Sequence, residues 1–416
     1  MHMPTNERCR LAACLFALLL AGRCAATERE LQLRASEVLP PGLLKSPVHA
    51  VKEEVGLDRF LFTFEVESPF GLYRVTSAEM LRIRVHELHV LSHARDISGM
   101  EEFAGSLKDS VVQVPVAVVD TLTSPVASVQ KVGEGVKDKF ASVGRFFSGR
   151  SKSGYEDNAV KEAAVGARKR EVAAELGLDA YSTNPKVQQL LNHLARARAL
   201  GAAPVRLAGM AAPPAVGWTL TILRLRESVE DDIAQKSPGE LHALNNEKLK
   251  KLGIRESVRE AFLNNPCYSP RHKTVICANL DALRDVDGKE NFLLTTVMDN
   301  SEDDAFFAER QLDMILYHHK KVARLERIER TERVPICITK EGVMVVLAPL
   351  DLVVLNERSQ GVLDALTEIA RDTQARKVRV VVSGQATDAC RQKLTQAGIE
   401  LITNFLAKAE AEARER

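Results

Sequence analysis

The chain has 416 residues, enough for two or three domains with sizeable cores. Its 57 Lys and Arg almost cancel 56 Asp and Glu, so it lacks the uncompensated basic surface that a nucleic-acid partner requires. Aromatic residues are only 5%, which also speaks against stacking platforms for bases.

Arg8 and Arg10 precede the apolar run LAACLFALLLAG at 11–22, and the small residues Cys24, Ala25 and Ala26 follow. This basic, apolar, small order is that of a secretory signal peptide, and about a dozen apolar residues are too few to span a bilayer. Residues 1–26 are therefore expected to be cleaved after Ala26, leaving an exported, periplasmic or extracellular protein. Lipidation of Cys24 is a variant, with Arg23 intruding where a lipobox sets its cysteine directly after the small residue. The mature chain keeps Cys267, Cys277, Cys337 and Cys390, for which one or two bridges and free buried thiols are both open readings.

In FLFTFEVE, Phe60, Phe62, Phe64 and Val66 recur every second residue, the period of a strand with one apolar face. Pro69 to Gly71 turn the chain and Leu72 to Val75 return, which predicts a hairpin. Thr76 with Glu79 has capping-box spacing and opens a helix to about Arg95.

Apolar residues then recur every three or four positions from Phe103 through Val111, Val118, Val129 and Phe140 to Phe147. The mean spacing of about 3.7 is that of an amphipathic helix able to keep one face on a flat surface. Pro115 and Pro125 each remove a backbone donor and predict breaks. Arg145, Arg150 and Lys152 flank its end. A membrane interface, an envelope protein or the protein's own core could accept such a stripe.

From 158 to 330 the pattern is mostly helical, with Asn184–Pro185, Ser237–Pro238 and Ser269–Pro270 as cap-plus-proline starts. Ser301 opens a long helix running through the HHKK stretch to about Arg330, with acids first and bases last. The uncharged segment 207–223 is split by Pro213 and Pro214 and reads as buried loop and strand around the core anchor Trp218. After 330, strands and helices alternate as in a small α/β unit.

The fold class expected is thus α+β and predominantly helical. Its segments are the signal (1–26), a hairpin plus helix (27–98), an amphipathic segment with linker (99–157), a helical domain (158–330) and an α/β domain (331–416).

His86, His89 and His93 lie within about 60° of one another on the helix, so a metal such as zinc is one expectation for that face. Ser383 to Thr387, SGQAT, follows a strand and precedes a helix, where α/β units bind small ligands. Acids 301–304 are explained by cap and dipole, and His318 and His319 by ordinary helix surface. GxSxG, CxxC and a cysteine beside a candidate base are all missing, so no catalytic residue is assigned. A non-enzymatic, envelope-associated binding protein is favoured, with a metal-dependent protein and a small-ligand binder as alternatives.

Overall fold

The computed structural model describes residues 32–95, 160–200, 225–331 and 334–408. The expected signal sequence at 1–26, the stripe at 103–147 and the 207–223 segment lie outside the described residues.

The fold is α+β and predominantly helical. Strand β5 (Leu61–Ser68) buries Phe62, Phe64 and Val66 and turns Thr63, Glu65 and Glu67 away from the core. It pairs antiparallel with β6 (Gly71–Thr76), setting Phe64 opposite Val75 and Val66 opposite Tyr73. The predicted hairpin is the centre of a larger sheet that includes β1 (Leu33–Arg34), β2 (Lys45–Ser46), β3 (His49–Val51) and β4 (Glu54–Asp58). The sheet order is β1-β4-β5-β3-β2, with β6 also on β5, and two single-turn helices, α1 (Ala35–Val38) and α2 (Pro41–Leu44), link its short strands. Strands of two to five residues carry too little periodicity to be read from sequence.

Helix α3 (Ala78–Arg95) lays Leu81, Val85, Leu88 and Leu91 on the sheet, three or four residues apart. Its start corrects the expected cap. Ser77, not Thr76, accepts the Met80 amide through its hydroxyl at 3.1 Å. Helices α4 (Val160–Leu176) and α5 (Pro185–Ala199) bring Val172, Leu176, Leu190 and Leu191 into this same core. The boundary expected near 158 therefore runs through one apolar cluster. Phe64 is fully buried at its centre, and Phe64→Ala is expected to cost about 3–5 kcal/mol, read as a lower midpoint in urea.

Val229 and Ile233 of α6 (Leu225–Gln235) also join that first core, and a second belongs to α7 (Pro238–Lys251), α8 (Glu256–Leu263), α9 (Pro270–Ala282), α10 (Lys289–Thr296) and α11 (Glu302–Tyr317), with Val275 of α9 reaching the first. Asn184, Ser237, Ser269 and Ser301 all cap as their sequences predict. Phe262, Phe292, Leu312 and Ile315 pack from these helices onto Cys337, Val345 and Val381 of the last sheet.

That sheet has the order β13-β11-β9-β8-β7. Strands β9 (Val343–Ala348), β11 (Lys377–Val382) and β13 (Ile399–Ile402) are parallel. They are joined by helices α12 (Glu357–Asp372) and α13 (Asp388–Gln396), which cover Ile336, Ile338 and Met344 on the outer face. The parallel pair β10 (Leu352–Val353) and β12 (Gln385–Ala386) lies outside this sheet. Strands β7 (Leu325–Arg330) and β8 (Pro335–Thr339) run antiparallel at the other edge.

Strand β7 overturns the long helix expected from Ser301 to Arg330. Helix α11 stops at Tyr317, a π-helical turn covers His318–Val322, and the chain becomes a strand. A bulge between Leu325 and Arg327 puts Leu325 and Ile328 on one face although they are three residues apart. A bulged strand thereby imitates helical spacing. Cys267, Cys277, Cys337 and Cys390 are free thiols, and no helix among the described residues is long and apolar enough to cross a membrane.

Candidate functional site

The three histidines predicted on one face of α3 do share it, but their rings face different neighbours. His86 is buried, with Nε2 2.9 Å from the Gly177 carbonyl, so that nitrogen carries the proton. His89 meets the edge of the His49 ring at 6.0 Å, and exposed His93 sets Nδ1 3.0 Å from the His89 carbonyl of its own helix. Burial pushes the pKa of both His86 and His89 down and favours their neutral forms. No group of three His, Cys, Asp or Glu is set to hold a metal ion among the described residues.

SGQAT does lie between a strand and a helix, but its backbone donors are taken by protein. Gly384 N–H donates to Leu350 O at 2.8 Å, Gln385 N–H to Asp351 O at 2.8 Å, and Thr387 N–H to Val353 O at 2.9 Å. A Cβ on Gly384 would sit 2.0 Å from Asp351 O, which explains the glycine by a close backbone pass.

That pass holds a residue the sequence did not single out. Asp351 crosses from the C-terminal unit to the N-terminal sheet, where its carboxylate accepts the Phe62 amide at 2.9 Å and the Ala78 amide at 3.2 Å. The Asp351 and Leu352 amides in turn donate to Phe60 O at 3.0 and 3.1 Å. Arg59, Phe60 and Ser77 around it have φ of 49°, 68° and 74°, conformations that non-glycine residues adopt only when their surroundings impose them. Burial raises the Asp351 pKa to about 7 against the opposing pull of the two amides, with Glu79 adding to the rise. Beside it opens a hollow lined by Leu61, Glu79, Phe307, Arg310 and Pro349.

Helix α11 connects this hollow to a second. The buried Arg310 Nε lies 2.7 Å from Glu79 of α3, Gln311 donates to Leu347 O of β9 at 2.7 Å, and Asp313 accepts from Asn279 of α9 at 2.8 Å. One turn earlier, Glu309 faces His272 of α9, with Nδ1 and Oε2 2.6 Å apart and both side chains buried. Burial disfavours the imidazolium, but the Glu309 bond and the nearby carboxylates outweigh it, so the His272 pKa lies above its ordinary value. The second hollow, of about 430 Å³ and open to solvent, is lined by His272, Glu309, Asp179, Glu302, Arg84 and Phe306.

Sequence reading also missed the π-helical turn. His318 is fully buried there, and neither ring nitrogen has a hydrogen-bond partner among the described residues. Burial and the Arg379 charge push its pKa down to about 4, so it is neutral. His319 accepts the Leu325 amide at 3.1 Å and sits beside Arg324. These two are structural residues of the α11–β7 junction rather than ordinary helix surface.

Asp351, His272, Glu309 and Asp179 come from separate elements, and no local motif marks them. For His272 and Glu309 the one local sign is a polar residue on a helix face otherwise apolar, a sign that many solvated positions share, while Asp179 and Asp351 lie in loops. Comparisons with protein-family models, with curated proteins and with solved structures gave no match, so function is read from the chain's own residues.

Proposed function

We propose that the protein acts by binding rather than by catalysis, as an exported, envelope-associated body that applies residues 103–147 to a membrane or envelope-protein surface. One observation carries this reading. Val90, Leu91 and Ala94 at the end of α3 and Val172, Ala173 and Leu176 of α4 are buried in the same core. The segment between them is therefore held at both ends by one packed unit, as an adhesive element requires. Its apolar period, small polar opposite face and flanking cations suit a bilayer interface.

The mature protein is expected to sediment with vesicles of phosphatidylglycerol and phosphatidylcholine, and less so as salt screens the flanking cations. Deleting 103–147 is expected to leave it in the supernatant with its unfolding midpoint little changed. A deleted protein that still sediments, or a full-length one that does not, overturns the membrane form of the proposal.

A further inference from the structure

The hollow between α3, α9 and α11 holds charged groups of two kinds. Some are already matched within the protein. Arg271 gives both terminal nitrogens to Glu230 at 2.6 and 2.7 Å. Arg84 pairs with Glu87, which also accepts Ser182 Oγ at 2.5 Å and Asn184 Nδ2 at 2.9 Å.

Others are matched only in part. His272 is 8% exposed and commits Nδ1 to Glu309, yet its Nε2 has no hydrogen bond to the described residues. Glu309 holds the Nδ1 proton and favours the imidazolium, the form in which Nε2–H is a charged donor at the wall of the hollow. Glu302 accepts only the Thr183 hydroxyl, at 2.6 Å, and forms no ion pair with the described residues. Asp179 accepts the Tyr181 amide at 2.9 Å and lies 4.0 Å from Arg271 Nε, too far for a hydrogen bond. Met80, Ile83 and Phe306 complete the wall with apolar surface.

From this inventory we infer that the hollow binds a small zwitterion, an α-amino acid with an apolar side chain. The ligand carboxylate takes the His272 Nε2–H, the ammonium lies between Asp179 and Glu302, and the side chain covers Met80, Ile83 and Phe306. A simple amine leaves the His272 donor unmatched, and a simple carboxylate faces Glu302, without an ion pair to the described residues, and Asp179, whose ion pair with Arg271 is a long one of 4.0 Å. Either is the weaker ligand, because a polar group buried without its partner costs affinity. Burial raises the pKa of Asp179 and of Glu302, and an incoming ammonium opposes that rise and favours their ionised forms.

The test is calorimetric titration of the mature full chain with L-leucine, 3-methylbutylamine and 4-methylpentanoate. Leucine is expected to bind about tenfold or more tighter than either half-ligand. His272→Asn keeps a donor for Glu309 and deletes Nε2, while Glu302→Gln keeps the Thr183 acceptor and deletes the charge. Each is expected to weaken leucine about tenfold, with an unfolding midpoint close to wild type. Absence of leucine binding, an amine that binds equally well, or affinity untouched by both substitutions overturns the inference.

Discussion

Gly384→Ala is expected to destabilise the protein by several kcal/mol, on the order of 3–5, and to impair folding of the C-terminal unit. The added methyl would meet Asp351 O at 2.0 Å, its carbonyl carbon at 2.6 Å and its Cα at 2.8 Å. All three are backbone atoms, so no side-chain rotation relieves the clash. Separating the two strands also stretches the Gly384-to-Leu350 bond and the bond from the Asn404 amide to Gly384 O, each 2.8 Å. Gly398→Ala is the matched control. That glycine has φ of +71° but open space around its Cβ, so only torsional strain of about 1 kcal/mol is expected. Urea titrations of the two variants separate the causes. Equal losses would mean that the close pass relaxes easily, and the explanation of Gly384 would fail.

The second large effect concerns Asp351. Truncation to alanine strands the Phe62 and Ala78 amides in a buried junction, at a cost of about 2–5 kcal/mol. Asp351→Asn should behave differently, because the amide oxygen still accepts those donors. Its signature is the pH profile. The folded pKa is raised from 3.8 to about 7, so the folded state holds a proton that the unfolded chain releases. The stability from this group is complete below about pH 4 and declines as pH rises to 7, by an upper limit on the order of 4 kcal/mol. The wild-type-minus-Asn difference in unfolding free energy should therefore fall between pH 4 and 7 and be flat above 8. A constant difference would show that Asp351 is ionised throughout, with the two amides dominating over burial.

The parts of the fold that could be read in advance were those written in local periodicity. Phe62, Phe64 and Val66 announced β5, and the Asn184, Ser237, Ser269 and Ser301 caps announced four helices, because both signals act within a few residues. The charge gradient after Ser301 misled for the same reason, since acids first and bases last marked a helix that the chain leaves at Tyr317 for a π-helical turn and strand β7. The sites were much less legible. The histidine face of α3 was placed correctly as a face, yet what each ring meets depends on Gly177, His49 and the helix's own carbonyl. Asp351 reaches Phe62 across 289 positions, and Glu309 reaches His272 across 37. Such pairs are created by tertiary packing, so no window along the chain contains them.

Because α3 and α4 are rooted in one core, the stretch between them is an insertion rather than a linker between separable halves. A protease that cuts within 96–159 is therefore expected to leave a nicked particle whose two fragments stay associated. Lengthening the insertion alters closure entropy by only about 0.6 kcal/mol per doubling. The length and composition of residues 96–159 can accordingly change while the core that α3 and α4 share stays unchanged.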